Sequence, residues 1–171
     1  MSAPGDPNPL VFKMQQQLQS NWCWAATAAS VSDYYYLRDT QANFQMGQEE
    51  IAKRCLSDKI VWPPDLPTFK TNWAGNQCWT LLEALQTVLH SAGPAQGPVL
   101  FEDVMGQIDQ HCPVCCQIDV GNGHFVALIG YKKDTREVMV CDPLTPGNGW
   151  QLFDAFKQYG GGTWRETYFT H

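Results

Sequence analysis

A cysteine lies between two tryptophans at the head of an alanine-rich run, in the segment Ser20-Asn21-Trp22-Cys23-Trp24-Ala25-Ala26. Alanine has the highest helix propensity, so the run predicts a helix over about residues 22–36. Ser20 or Asn21 can cap its first turn, because a side-chain oxygen of either residue can accept a hydrogen bond from the unpaired amides there. The segment therefore predicts that the thiol of Cys23 lies at a helix N-terminus.

A thiol in that place is a candidate nucleophile. The N-terminus of a helix carries a partial positive charge, which stabilises a thiolate over a thiol. The alternative is a structural cysteine that packs beside Trp22 and Trp24, and for a cysteine taken at random that alternative is the more common one. The choice between them depends on whether the sequence also supplies a base for Cys23.

Two downstream segments supply such partners. Gly121-Asn122-Gly123-His124 brings a histidine to the start of an apolar strand, and Val138-Met139-Val140-Cys141-Asp142 is a strand that ends in an acid. His124 can serve as the base, while Asp142 can orient the imidazole through its second ring nitrogen. Cysteine, histidine and acid in this order predict a catalytic triad with Cys23 as the nucleophile.

Each of these assignments has a structural alternative. His124 can be a structural histidine whose ring only forms hydrogen bonds with neighbouring groups. Asp142 before a proline can simply begin a turn. His124 is nevertheless the only histidine of the four with a glycine approach and an apolar strand behind it. The others lie at a predicted helix end, beside a cysteine cluster and at the C-terminus: His90, His111 and His171.

The three segments resemble those of papain-like cysteine peptidases, most closely the compact bacterial members. Similar groups are the leader-peptidase domains of bacteriocin-exporting transporters and the effector proteases that plant pathogens inject into host cells. The resemblance implies that a glutamine six residues before the nucleophile donates its side-chain amide to an oxyanion hole, and that residue is Gln17. Gln15, Gln16 and Gln19 share the segment, so Gln17 can also be one glutamine among several. An aspartate followed by proline at the third triad position is the pattern of the bacterial groups.

Composition and charge restrict the partners. The net charge of −6, without a basic run, argues against nucleic acid or an anionic membrane as the main partner. The sequence has no apolar stretch of the roughly 20 residues that a membrane span needs, and its start resembles no signal peptide. We expect one domain over residues 1–171 with a flexible arm over 1–9. We also expect a monomer that is cytoplasmic as sequenced, or that a specialised secretion system exports into another cell.

The seven cysteines follow no disulfide framework and fit reduced thiols. The pair Cys112-x-x-Cys115 has the spacing of half a zinc site or of a redox pair, but no second pair with matching spacing follows. Residues 113–120 are better explained as a buried strand. We therefore expect neither a metal nor a cofactor.

Helices precede strands along the chain. Further helices are predicted over residues 47–54, 77–91 and 101–110. Strands are predicted over residues 10–12, 114–120, 125–132, 137–141, 150–153 and 163–170. This order predicts an α+β fold, in which the helix that carries Cys23 packs on an antiparallel sheet that carries His124 and Asp142. The papain-like resemblance implies the same arrangement.

Three functions fit these residues. The first is a cysteine endopeptidase that cleaves a protein or peptide through the triad and a glutamine-assisted oxyanion hole. The second is another acyl transfer by the same triad, such as deamidation or transglutamination, because only the acyl donor and acceptor differ. The third is an inactive binding module with the same fold. The resemblance further implies a bacterial effector or toxin, with a cognate inhibitor or a host activator as a partner.

Overall fold

The computed structural model describes residues 7–39, 44–57, 59–68, 72–145 and 147–171. Its helices are α1 (Cys23–Arg38), α2 (Gln48–Leu56), α3 (Leu81–Thr87), α4 (Phe101–Asp109) and α5 (Phe153–Phe156). Its strands are β1 (Val114–Asp119), β2 (His124–Lys132), β3 (Glu137–Cys141), β4 (Asn148–Leu152) and β5 (Thr163–Phe169). This arrangement of N-terminal helices and a C-terminal antiparallel sheet confirms the predicted α+β, papain-like fold.

Helix α1 is the buried centre of the helical part. It packs against α2, α3 and β2, and its alanines have no exposed surface. The side chains of Trp22 and Trp24 are also fully buried, and their indole N–H groups donate to the carbonyls of Gly75 and Gln77 at 2.8 and 2.9 Å. A helix that is covered on nearly every side is held by packing rather than by one amphipathic face. The two tryptophans therefore fix the start of α1 against the segment that precedes α3.

The predicted cap of α1 is wrong. Trp22 is the N-cap residue, and it makes no side-chain capping hydrogen bond. Asn21 instead donates its side-chain amide to the Asn76 carbonyl at 2.9 Å, and Ser20 Oγ accepts from Asn76 Nδ2 at 2.8 Å. Since a distant asparagine already satisfies both polar side chains, neither turns back to the helix.

The sheet has the strand order β4-β3-β2-β1-β5, and all neighbouring strands are antiparallel. The first four strands form an antiparallel meander, and β5 returns to pair with β1. Strand β2 lies in the middle, is buried from Phe125 to Tyr131, and contacts both α1 and α4. The sheet position of β2 therefore brings its first residue, His124, close to the start of α1.

Two predicted elements differ from the structure. Helix α3 is shorter than residues 77–91, because Thr80 caps it by accepting from the Glu83 amide and the positive φ of Leu89 ends it. Residues 10–12 form no strand, although the Leu10 amide donates to Ile129 at 2.8 Å. Residues 1–6 of the expected flexible arm lie outside the described residues, while Pro9 packs against Gly130 of β2.

All seven cysteines are free thiols, as expected. Cys115 and Cys116 are buried in β1, which confirms the predicted strand there, while Cys112 donates to the Gln110 carbonyl. Among the described residues, no cluster of histidine, cysteine and acidic side chains is arranged to hold a metal ion. Within the same ranges, no helix has the length and apolar character needed to cross a membrane.

Candidate active site

Cys23 is the first residue of α1, and only 5% of its surface is exposed. The chain reaches it through a tight turn, in which the Trp22 amide donates to the Gln19 carbonyl at 3.1 Å. Its Sγ lies 4.0 Å from the carbonyl oxygen of Gly123, on the turn that leads into β2. The thiol therefore lies where the predicted nucleophile was expected, at a helix N-terminus and beside the histidine turn.

A glycine turn delivers His124 to this thiol. Gly121 and Gly123 have φ values of +57° and +93°, a region that side chains with a Cβ rarely adopt. The Gly123 amide closes the turn by donating to the Val120 carbonyl at 2.9 Å. The imidazole that follows lies close enough to Cys23 for the thiol to contribute to the raised pKa of the ring. The two glycines thus account for how a buried strand can begin with a histidine that faces the helix.

Asp142 lies on the other side of the imidazole, directly after β3. His124 Nε2 donates to Asp142 Oδ1 at 2.8 Å, which leaves the Nδ1 side of the ring for Cys23. The Leu144 amide donates to the same carboxylate oxygen at 2.8 Å, and the Tyr159 hydroxyl donates to Oδ2 at 3.0 Å. The structure therefore brings together all three residues of the predicted triad.

His124 and Asp142 each stabilise the charged form of the other. Burial disfavours a protonated imidazole, but hydrogen bonds and charges from Asp142 and Cys23 outweigh it and raise the pKa of His124 to about 9. Burial likewise opposes ionisation of Asp142, yet the hydrogen bond and charge of His124, with the Leu144 and Tyr159 donors, hold the pKa of this carboxyl below its usual value. A protonated ring beside a sulfur is the arrangement that stabilises a thiolate.

Tyr159 is the contact that sequence reasoning missed. Its side chain reaches the acid from the turn Tyr159–Gly161, and burial with the nearby Asp142 charge raises the pKa of its phenol, so it stays a neutral donor. A buried carboxylate needs donors on both oxygens, so some partner was to be expected. Nothing in the sequence distinguished Tyr159 from the other tyrosines.

Gln17 lies beside the site, with its side chain directed at the turn before Cys23. Its Nε2 donates to the carbonyls of Gln19 and Ser20 at 2.9 and 2.7 Å. Its backbone N–H donates to the carbonyl of Pro143, the residue after Asp142, at 3.0 Å. Its Oε1 is buried and has no hydrogen-bond partner among the described residues.

The neighbouring glutamines are placed differently from Gln17. Gln15 donates to Asp33 and Gln19 donates to the Pro67 carbonyl, while Gln16 is exposed. Gln17 is therefore the glutamine of this segment whose amide faces the turn that carries the nucleophile.

Comparisons with known proteins agree with the fold and identify a peptidase family. The model of the peptidase C39-like family matches residues 9–171. The structure is similar to that of a C39-like peptidase from Bacillus anthracis, with a TM-score of 0.60 and 15% identity over 95% of this chain and 98% of that one. It is also similar to xylellain, a cysteine protease from Xylella fastidiosa, with a TM-score of 0.62 and 11% identity over 96% and 84%. No curated protein matches the sequence.

Proposed function

Because this chain belongs to the peptidase C39-like family of cysteine peptidases, we propose that it is an endopeptidase that cleaves peptides or proteins through a triad of Cys23, His124 and Asp142. The observation that carries this proposal is the 2.8 Å hydrogen bond between His124 Nε2 and Asp142 Oδ1, with the Cys23 thiol on the opposite side of the ring. Such a line of groups supplies a nucleophile, a proton carrier and an orienting acid.

The reaction follows from these positions. The thiolate of Cys23 attacks the carbonyl carbon of the scissile amide, and the carbonyl oxygen becomes an oxyanion. The imidazolium of His124 then gives its proton to the leaving amine, which breaks the carbon–nitrogen bond and leaves an acyl-enzyme. The neutral ring takes a proton from water, whose oxygen attacks the thioester and releases the acid. Asp142 keeps the ring in one orientation throughout.

The oxyanion needs donors that are in place before it forms. The backbone N–H of Cys23 is one candidate, since the first amides of a helix have no partner within the helix. The side-chain amide of Gln17 is the second, because it lies at the turn directly before the nucleophile. In the free protein both N–H groups of this amide donate to carbonyls, those of Gln19 and Ser20. One of the two N–H groups must therefore leave its carbonyl to donate to the oxyanion.

Labelling with a thiol-directed epoxide tests the proposal. Intact mass of the wild type should show one adduct at neutral pH, which is lost in Cys23→Ala and greatly slowed in His124→Ala. Cys78→Ala is the matched control, because Cys78 is an exposed thiol outside the triad and its loss should leave the adduct in place. Scattered adducts that ignore His124 would overturn the triad. A peptide library separates the functions, since a deamidase or transglutaminase would be labelled without cutting.

We also propose a role as an effector or toxin that acts inside another cell. It rests on the likeness of the segment around Cys23 to the nucleophile segment of injected plant-pathogen proteases, and it would bring a cognate inhibitor or a host activator as partner. Producing the wild type and Cys23→Ala in bacterial and plant cytosol tests this role. Growth arrest or cell death that requires Cys23 supports it, and equal growth with both proteins contradicts it.

The organisation of the chain is a further proposal. We propose a single domain over residues 1–171 that acts as a monomer. Light scattering after size-exclusion chromatography should give a mass close to 19.2 kDa. A mass twice as large would contradict the monomer.

A further inference from the structure

A cavity of about 400 Å³ opens beside the candidate active site, between the sheet and the start of α3. A volume of this order is enough for a ligand-sized group, and the cavity is not used in the mechanism above. Its lining includes three aromatic rings and two polar side chains: Trp79, Phe125, Tyr168, Gln117 and Glu166.

The register of the sheet places four of these side chains on one face. Gln117 of β1 pairs with Phe125 of β2 and with Glu166 of β5, so the three project together. Tyr168 follows Glu166 by two residues on the same strand and shares its face. The rings of Phe125 and Tyr168 pack edge to face, with centroids 6.1 Å apart. These four side chains form a continuous wall.

This wall reaches the nucleophile through the histidine turn. Phe125 directly follows His124 in the chain, and Gln117 Nε2 lies 3.1 Å from where a Cβ of Gly123 would be. The carbonyl of Gly123 is the group 4.0 Å from Cys23 Sγ. A peptide that lies across Cys23 with its scissile bond in place therefore has a neighbouring side chain within reach of the cavity.

The polar end of the cavity is negatively charged. Glu166 is half-buried and accepts a hydrogen bond from the Tyr168 hydroxyl. Over the ranges that the structure describes, its carboxylate forms no ion pair, unlike that of Asp119, which pairs with Arg165. A partly desolvated carboxylate without a cation favours a cationic ligand.

The aromatic side of the cavity suits the aliphatic part of a long side chain. The Trp79 indole is fixed by donating to Glu83 at 2.8 Å, and the Lys59 ammonium lies 3.8 Å from the centroid of its ring. Because Lys59 already covers one face of this ring, Trp79 contributes apolar packing to a ligand in the cavity, and the attraction for a cation comes from Glu166. The net charge of −6 also favours the approach of a basic peptide.

We propose that this cavity binds the side chain of an arginine or lysine next to the scissile bond, with Glu166 as the carboxylate that pairs with it. The inference rests on the proposed peptidase function and makes its substrate a basic peptide. Trp79 and Phe125 cover the aliphatic part of the bound side chain, and Glu166 accepts from its guanidinium or ammonium group.

Peptidyl epoxides that modify Cys23 provide the test. Two reagents differ only at the first or second residue next to the epoxide. One has arginine there, and the other has citrulline, which has nearly the same shape without the charge. The rate of Cys23 modification should be about tenfold higher for arginine with the wild type, which corresponds to one charged hydrogen bond. Glu166→Gln should bring the ratio close to one, and Glu166→Lys should turn the preference toward a glutamate-bearing reagent.

Glu102→Gln is the matched control, because it removes one negative charge at an exposed position outside the cavity and should keep the arginine preference. Equal rates with arginine and citrulline in the wild type would overturn the proposal, as would a preference that survives in Glu166→Gln. Cleavage of a neutral peptide is measured in parallel. If Cys23 prefers the arginine reagent but no peptide is cut, the cavity stands and the peptidase function falls. If peptides are cut without regard to charge, the peptidase function stands and the proposal for the cavity falls.

Discussion

The Tyr159 hydroxyl donates a hydrogen bond to Asp142 Oδ2 at 3.0 Å, while the other carboxylate oxygen, Oδ1, accepts from His124 Nε2. The buried acid therefore has a donor on each oxygen and cannot rotate without losing one of them. The two residues that follow Tyr159 are glycines with φ values of +59° and +82°, which shape the turn that holds the tyrosine there. Tyr159 is in this way a positioning residue for the imidazole, through Asp142.

Replacing Tyr159 by phenylalanine tests this role. The ring can keep its packing against Phe156, at 5.7 Å between centroids, but the donor is lost. We expect kcat/KM to fall about tenfold, a loss typical of one hydrogen bond to a charged group. Without the donor dipole, the Asp142 charge acts more strongly on His124, so the alkaline limb of the pH–rate profile should move to higher pH. Tyr36→Phe, which removes an exposed phenol, should change neither quantity. A fall in stability with an unmoved alkaline limb would contradict a positioning role.

The pH dependence should follow the protonation of His124. Its pKa of about 9 means that the proton needed by the leaving amine is lost as pH rises through that value, so kcat/KM should fall there. Because the folded pKa exceeds the ordinary 6.5, the folded state binds this proton more tightly than the unfolded state. Its contribution to stability is therefore fully present below about 6.5 and is lost between 6.5 and about 9.

Urea unfolding of the wild type and His124→Ala at pH 6 and pH 9.5 measures this contribution. The free energy of unfolding of the wild type should decrease with pH more steeply than that of the variant. Parallel pH profiles of the two proteins would show that His124 gains no proton affinity on folding.

Asp142 can be probed by two substitutions of different severity. Asp142→Asn keeps a hydrogen-bond acceptor for the imidazole but removes the charge, while Asp142→Ala removes both. Both variants should lose activity, the alanine variant more, and both should lose less than Cys23→Ala. Because the hydrogen bond and charge of Asp142 raise the pKa of His124, the alkaline limb should move to lower pH in both. Steady-state rates from pH 5 to pH 10 check these shifts, and Asp142→Asn with an unshifted limb would contradict them.

Local sequence patterns were enough to predict the sheet and the residues that meet at the site. The glycine turn before His124 and the strand before Asp142 are short-range signals, and the structure brings both residues to Cys23. The cap of α1 could not be predicted in the same way, since the partner of Ser20 and Asn21 is 55 residues or more away in sequence. Tyr159 was missed for the same reason, because tertiary folding alone decides which tyrosine reaches a buried acid.

The turn that carries Tyr159 depends on a close approach at Gly162. A Cβ there would lie 2.7 Å from the Asp119 carbonyl oxygen and 2.7 Å from the Val120 Cβ, at the end of β1. Gly162→Ala should therefore destabilise the protein by about 1–3 kcal/mol, as overpacking usually does. Gly106→Ala is the matched control, because a Cβ at this half-buried glycine of α4 meets nothing within 4 Å. In urea unfolding the control should be neutral or stabilised by up to about 1 kcal/mol. Equal stability of Gly162→Ala and the wild type would contradict the close approach.

We propose two roles for Gln17, and kinetics and stability of Gln17→Ala report on one role each. As an oxyanion donor, its side-chain amide acts only in the transition state, so Gln17→Ala should lower kcat by about 10²–10³ with little change in KM. As a link in the turn, its Nε2 holds the carbonyls of Gln19 and Ser20, and its loss should lower the free energy of unfolding.

We expect the kinetic loss to dominate, because a turn held by two neutral hydrogen bonds loses only about 1–3 kcal/mol when they go. Gln16→Ala, at the exposed neighbouring glutamine, should alter neither kcat nor stability. Single-turnover rates at saturating peptide and urea midpoints of the three proteins decide between the roles. A Gln17→Ala protein that is less stable but turns over at the wild-type rate would contradict the oxyanion role. The backbone amide of Cys23 would then stabilise the oxyanion without Gln17. The hydrogen bonds to the Gln19 and Ser20 carbonyls would in that case be the reason for a buried glutamine at this turn.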